Sequence, residues 1–575
     1  MTRGSTVTEL SLSRPSARPI RRPSPWNGRN GVLAVALLLV GWSLVRAGLL
    51  EGELVNAGGW VLALRFGRAA LQPDLTPDLL SLTLHSTLIT LAYAVCGTAL
   101  SLAIGVVGGI LSSEVWWQTV RASQGEGGLV AGGAPWLVVR SLLSVPRAIH
   151  EAIWGLIFIN IFGLDPVSGI LALGIPFGAI TAKVFSEILD ETPRGALQAL
   201  RAGGAPPLAA FFYSLIPQAF ADLLSYTFYR FECAIRSATI LGLIGAGGLG
   251  YQILLSLQSL RYEQMWTFLY ALILLCGLTD LWSARLRWRL SLSRPLAVCK
   301  VTDGEATAGP NDRLFRSSLW LALGLTLFSF WFIGARWELL WAPRSGQLFR
   351  EMVATMFPPR LELAFWRELT VSAVDTLAMS ILASAVAGVG GMLLAFPAAG
   401  AAWLGGGAED AVGWMVRPVA WFTRGLLLLT RSIAEPIWAL LAMFVLFPGL
   451  LPGAVGLGLY NLGILGRLNA EVVENLDERP TRAIQAQGAS RLQAFLYAVW
   501  PRALPRFVGY ALYRWEVCIR ATVVVGLVGA GGLGRLLQEQ LVRFDYHSVS
   551  ATLLVFFLLT GLVDLGSAWA RRLLR

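Results

Sequence analysis

Residues 232–250 read ECAIRSATILGLIGAGGLG and residues 516–534 read EVCIRATVVVGLVGAGGLG, with 11 of 19 positions identical at an offset of 284. Carried along the chain without a gap, that offset aligns Arg147 with Arg431, Glu151 with Glu435 and Trp154 with Trp438. It also aligns Pro217 with Pro501, Tyr229 with Tyr513 and Asp280 with Asp564. One fold is written twice. Two copies in one chain predict a pseudo-symmetric assembly whose work is shared at the interface between copies.

Composition places that assembly in a membrane. Of 575 residues, 55% are apolar and 14% are charged, against about 25% charged in soluble domains. Apolar runs of about 20 residues recur, long enough to span hydrocarbon. They are too numerous for a lone anchor, and the ten-residue alternation of a closed barrel is missing. The fold class expected is an all-α polytopic membrane protein.

About six spans per half are predicted. In the first half they fall near Val32–Leu50, Leu82–Leu111, Trp136–Phe162, Val167–Phe185, Ala219–Ile244 and Met265–Ala284. Their partners fall near Ser317–Ile333, Thr370–Phe396, Val419–Leu446, Pro452–Leu468, Ala503–Val528 and Val549–Ala570. The chain thus divides into a basic tail (1–30), a first repeat (31–285), a linker (286–315) and a second repeat (316–575). The first run is too long, and its basic leader too extended, for a cleaved signal peptide.

Charge predicts orientation. The tail carries Arg3, Arg14, Arg18, Arg21, Arg22 and Arg29 against Glu9. The linker region carries Arg285, Arg287, Arg289, Arg294, Lys300, Arg313 and Arg316, and the end of the chain Arg571, Arg572 and Arg575. Positive residues stay inside, so both termini and the linker are expected in the cytoplasm. An even number of spans per half makes the repeats parallel. The net charge of +11 then reflects topology, and no nucleic-acid partner is expected.

Between spans four and five, Leu197-Gln-Ala-Leu-Arg-Ala-Gly-Gly204 is followed thirteen positions on by Pro217. Arg482-Ala-Ile-Gln-Ala-Gln-Gly488 is followed at the same distance by Pro501. An Ala-rich helix stopped by Gly makes a short cytoplasmic knob, able to sit in a groove on a soluble motor. An ordinary helix–turn–helix loop is the plainer reading, and the matched copies weigh against it.

These loops resemble the signature loop of ABC-importer permeases, which runs Glu-Ala-Ala, three residues, Gly, nine residues, Ile-x-Leu-Pro. Tyr513-Arg-Trp-Glu-Val-Cys-Ile-Arg520 followed by Gly526 to Gly534, and Arg431 to Glu435 with Trp438, look like the phosphonate-type permease subunit of binding-protein-dependent ABC importers. The resemblance covers roughly residues 80–285 and 370–572. It implies a type I ABC-importer permease-like fold with the usual permease dimer fused into one chain. It also implies two ABC ATPase subunits inside, a periplasmic or extracellular substrate-binding protein outside, and a bacterial inner membrane. ATP and Mg would sit on the ATPase and no cofactor on this chain. The coupling residues carried over are Gln198, Ala199, Gly204 and Pro217, with Arg482, Ala483, Gly488 and Pro501. The family's Glu is Gln198 in one copy and Arg482 in the other, so a contact different in detail is expected there.

The glycine runs Gly245, Gly247, Gly248, Gly250 and Gly529, Gly531, Gly532, Gly534 satisfy G-x-G-x-x-G. A dinucleotide site needs a preceding strand and a soluble βαβ unit, whereas here a membrane span precedes each run. Two readings stay open. The glycines break the backbone at a gate near the outer end of span five, or they let helices pack closely.

Ionisable residues within spans need a reason. Glu232 and Arg236, like Glu516 and Arg520, stand four apart in the order that favours an ion pair. Either each pair neutralises itself, or Arg236 and Arg520 approach the pseudo-two-fold axis and lower the barrier to an anion, since guanidinium forks match phosphonate oxygens. Arg147 with Glu151 and Arg431 with Glu435, in reverse order, are expected to pair along their own helix. His85, His150 and His547 stand alone and the five cysteines form no CxxC, so no metal or catalytic site is expected. There is no GxxxxGK[ST], so energy must come from elsewhere. The reading is a permease for a small phosphorus-containing oxyanion. The alternative is an ion-coupled secondary transporter, for which unpaired midplane carboxylates would be expected.

Overall fold

The computed structural model describes residues 28–49, 56, 58–124, 134–292, 313–400 and 411–574. The basic tail before Gly28, the linker residues Arg294 and Lys300, Cys299 and Arg575 lie outside them. The elements among the described residues are helices. Glu151–Phe162, Pro166–Glu191, Gly195–Ala202, Gly248–Gln258 and Tyr262–Leu292 recur as Glu435–Val445, Leu450–Glu474, Arg479–Ala486, Gly532–Val542 and Tyr546–Leu574. The long helices Pro77–Ser112 and Leu363–Ala398 recur too. The fold is thus all-α with two parallel six-helix-type repeats, as the sequence predicts.

Among the described residues six single helices are long and apolar enough to cross a membrane, and three bent pairs raise the number to nine. The other three expected spans coincide with helices that fall short for separate reasons. Gly31–Arg46 is short. Arg313–Phe332 opens with Arg313 and Arg316. Leu450–Glu474 carries Asn461, Arg467 and Asn469, which lower its apolarity while fitting a helix enclosed by others. Large apolar side chains face outward elsewhere, as at Trp320, Trp331, Trp421 and Leu393. Hydrocarbon tolerates that arrangement where water would not.

The expected third spans are not continuous. Pro135–Ala148 and Glu151–Phe162 meet at 87°, and Val416–Ser432 and Glu435–Val445 at 98°. Each second arm starts as a new helix: His150 accepts the Ala152 N–H through its side chain, and Pro436 occupies the first turn of the other, where a missing N–H costs nothing. The indole of Trp154 crosses the corner to donate to the Pro146 carbonyl at 3.1 Å. Trp438 does the same to Thr430 at 3.0 Å. Both carbonyls are orphans of a helix end, so the repeated tryptophan is the corner's clasp.

The repeats exchange their first helices. Gly28–Arg46 packs on Leu363–Ala398 and Tyr546–Leu574 of the second repeat, with Arg46 Nε 2.8 Å from Asp375. Arg313–Phe332 packs on Pro77–Ser112 of the first. The chain beyond it places Arg336 Nε 2.7 Å from the buried Asp165 carboxylate. Sequence order and spatial grouping therefore differ at the start of each repeat.

Candidate translocation site

The longest candidate span of the first repeat is Pro207–Ala246, and its counterpart is Arg491–Ala530. Each has a widened turn near its start, at Phe211–Leu215 and Phe495–Val499. Pro217 and Pro501 lie just beyond. Proline has no N–H for the carbonyl four residues back, and a wider turn is the usual accommodation.

The segments expected to couple precede these spans as helices Gly195–Ala202 and Arg479–Ala486. They are exposed apart from a few anchoring positions: Leu197 is buried in one and Thr481 in the other. Gln198 and Ala199 face outward, as do Arg482 and Ala483. Arg482 is held by Glu478 one turn earlier on the same helix. Gly204 and Gly488 adopt φ of +85° and +87° with open space around them, a conformation side-chain-bearing residues resist. Each knob is thereby ended sharply before its span begins.

At the far end of the same spans the glycine runs form tight reversals. Gly245, Gly247 and Gly248 have φ of +105°, +84° and +74°, and Gly529, Gly531 and Gly532 match at +102°, +84° and +70°. A Cβ on Gly250 would lie 1.9 Å from the Thr239 carbonyl oxygen, and one on Gly534 2.3 Å from that of Val523. The reversal is pinned to the second span: the buried Leu249 N–H donates to Thr90 Oγ1 at 2.9 Å, and Leu533 N–H to Thr376 Oγ1 at 2.9 Å. Close packing is thus present in both copies.

The two reversals also face one another. Gly245 and Gly529, with Leu243, Leu527 and the arms after both corners, line a cavity of about 650 Å³ between the repeats. Its charged lining residue is Arg535, at the position Tyr251 holds in the first repeat. The backbone break and the inter-repeat void coincide, the arrangement expected where a path opens and closes.

The Glu516 and Arg431 side chains find ion-pair partners on other helices rather than one turn away on their own. Arg236 Nε donates to the backbone carbonyl of Glu232 at 3.3 Å, and Arg520 Nε to that of Glu516 at 3.1 Å. The Glu516 carboxylate pairs instead with Arg571, 2.6 Å away on the last helix. Arg431 likewise turns from Glu435 to Asp280 of the first repeat, which Arg467 also approaches at 3.6 Å. Glu151 accepts a hydrogen bond from Ser237 at 2.5 Å and lies 3.2 Å from His150 Nδ1. Low dielectric rewards the shortest contact between helices, and i,i+4 spacing is only one source of such contacts.

Sequence reading passed over Arg230 and Arg514, one residue from the aligned tyrosines. Both are buried on the long spans. Their signal was present, a cation repeated at offset 284 within an apolar span. Among the described residues no group of three or more His, Cys, Asp or Glu side chains could hold a metal ion.

The sequence matches the family described as "Binding-protein-dependent transport system inner membrane component" at residues 126–291 and again at 403–575. It is 26% identical over 440 residues to the phosphate-import permease protein PhnE of Mycolicibacterium smegmatis, spanning 76% of this chain and 77% of that protein. It is 36% identical over 255 residues to the phosphite transport system permease protein PtxC of Stutzerimonas stutzeri, spanning 44% of this chain and 86% of that protein. The putative cryptic phosphonate transport system permease protein PhnE2 of Escherichia coli is 35% identical over 118 residues, 20% of this chain and 97% of its own length.

Proposed function

This chain belongs to the family of binding-protein-dependent transport system inner membrane components, and from that premise we propose that it forms the path for a small phosphorus-containing oxyanion moving inward. Phosphate, phosphite and phosphonate are the candidates, because the relatives are named for them. The observation that carries the reading is the paired arrangement on each long span: a glycine-terminated knob at one end and a glycine reversal bordering the inter-repeat cavity at the other. A soluble substrate-binding protein delivers the anion to the cavity side. Two ATPase subunits, holding ATP and Mg, grip the knobs at Gly204 and Gly488. Both termini and the linker lie in the cytoplasm, as the arginine distribution favours. The membrane is the bacterial inner membrane.

The chain works as a transporter component. Its part is to convert a rigid push on two short helices into separation of two glycine reversals, along spans stiff enough to transmit it. The test is ATP hydrolysis by the chain assembled in lipid with its ATPase and binding protein, with phosphate, phosphite or methylphosphonate added. Stimulation is expected in wild type and lost on Gly204→Trp with Gly488→Trp, the folded yield being retained despite about 1–3 kcal/mol of backbone strain at each site. Uptake driven by an ion gradient with no ATPase present would overturn the proposal in favour of a secondary carrier.

A further inference from the structure

Arg230 and Arg514 occupy equivalent places on the two long spans, yet their surroundings differ. Arg514 donates from Nε to Asn461 Oδ1 at 2.9 Å, and its Nη2 contacts the same oxygen. The residue equivalent to Asn461 in the first repeat is Phe177. Arg230 lies over that ring, 4.3 Å from its centroid, and over Tyr226 at 5.8 Å. A ring face attracts a cation but accepts no conventional hydrogen bond. Arg230 Nε and Nη2 are buried with no hydrogen-bond partner, and the residue is only 8% exposed.

Its depth matters. Arg230 lies 23 residues beyond Pro207 and 16 before Ala246, about 35 Å and 24 Å along the helix. That is membrane depth, where an unsatisfied guanidinium is costly and calls for a function. The neighbouring Tyr229 lies within electrostatic reach of Arg514 and Tyr513 of the other repeat, so this stretch faces the inter-repeat boundary. Arg230 itself packs on Phe177 and Tyr226 of its own repeat, one residue from that boundary, and its two buried planar donors without acceptors have the geometry that fits oxyanion oxygens.

We propose that Arg230 is a transient station for the passing oxyanion, whereas Asn461 withholds Arg514 from that role. The inference rests on the proposed oxyanion substrate. One station instead of two keeps the anion from being held between a pair of forks, and the aromatic seat stabilises the cation while the site is empty. The path is thereby functionally asymmetric although the fold is duplicated.

The test is uptake of radiolabelled phosphate, and separately of methylphosphonate, into proteoliposomes holding the complete transporter. Thermal midpoints are read on the same preparations. Arg230→Met is expected to lower uptake at least tenfold while the midpoint stays level or rises, because the change removes a buried charge whose Nε and Nη2 hold no hydrogen-bond acceptor. Arg230→Lys keeps a point charge and is expected to fall between. Arg514→Met, by contrast, is expected to lower the midpoint, since Asn461 loses its donor. Phe177→Asn would give Arg230 the acceptor that Arg514 has, and uptake is expected to drop. Uptake by Arg230→Met within twofold of wild type would overturn the inference alone. So would midpoints falling in step with uptake in both the Met and Lys variants, which marks a structural role. Wild-type transporter that hydrolyses ATP but moves neither probe nor phosphite would overturn the substrate reading beneath it.

Discussion

Arg431 of the second repeat is ion-paired with Asp280 of the first, 151 residues away in sequence, and both side chains are nearly buried. Arg467 approaches the same carboxylate. The equivalent residues Arg147 and Asp564 lie within electrostatic reach of each other. The corner of the second repeat is thus tied by an ion pair to the last span of the first, and on the other side the equivalent residues attract at longer range.

Breaking one tie strands a charge. Asp280→Asn takes from the nearly buried Arg431 the carboxylate it is paired with and leaves it beside the like charge of Arg467, and a loss of about 3–5 kcal/mol is expected, read as a fall in thermal midpoint in detergent. The double variant Asp280→Asn with Arg431→Gln removes both charges and is expected to recover most of that loss. No recovery would mean that the pair does not act as a unit.

The hydroxyls pinning the glycine reversals give a second expectation. Thr90→Val keeps the shape but leaves the buried Leu249 N–H without its acceptor, which costs about 1–3 kcal/mol. Thr376→Val should do the same through Leu533. Thermal midpoints of the two single variants and the double check this, and the two losses should sum because the sites are separate.

Within a reversal, glycines differ in what they forbid. Gly250→Ala drives a methyl into the Thr239 carbonyl, and folded yield by size-exclusion chromatography is expected to collapse. Gly247 has open space around it but φ of +84° and ψ of −163°, so Gly247→Ala should fold with about 1–3 kcal/mol of strain. Equal yields would contradict this ranking.

The Asp165–Arg336 contact makes stability depend on pH. Burial opposes ionisation of Asp165, but the Arg336 guanidinium and the Val167 and Arg336 backbone N–H groups outweigh it and hold the carboxyl below its ordinary value. The contribution is therefore complete above the ordinary carboxylate pKa of about 3.9 and is lost as pH falls through the lower native value. Wild type should lose thermal midpoint across that acid window, and Asp165→Asn should show a shallower fall. Parallel curves would assign the acid limb to other carboxylates.

The sequence alone determined the duplication, the membrane setting, most of the spans, and the paired glycine runs and glycine-stopped loops. Each depends on local pattern: apolar run length, a repeated string, or glycine where the backbone must take positive φ. Tertiary structure decided the rest. The corners at His150 and Ala434 lie inside apolar runs that read as continuous, because a bend costs hydropathy nothing once Trp154 and Trp438 satisfy the freed carbonyls. The exchange of first helices leaves no trace in order along the chain. Spacing along one helix suggested that Glu516 would pair with Arg520, yet its partner is Arg571 from another helix. In a low-dielectric interior a charge is bound by whichever opposite group the packing brings nearest. By the same reasoning Arg230 and Arg514, equivalent in sequence, differ in fact: one faces Phe177 and the other Asn461, on the neighbouring helix.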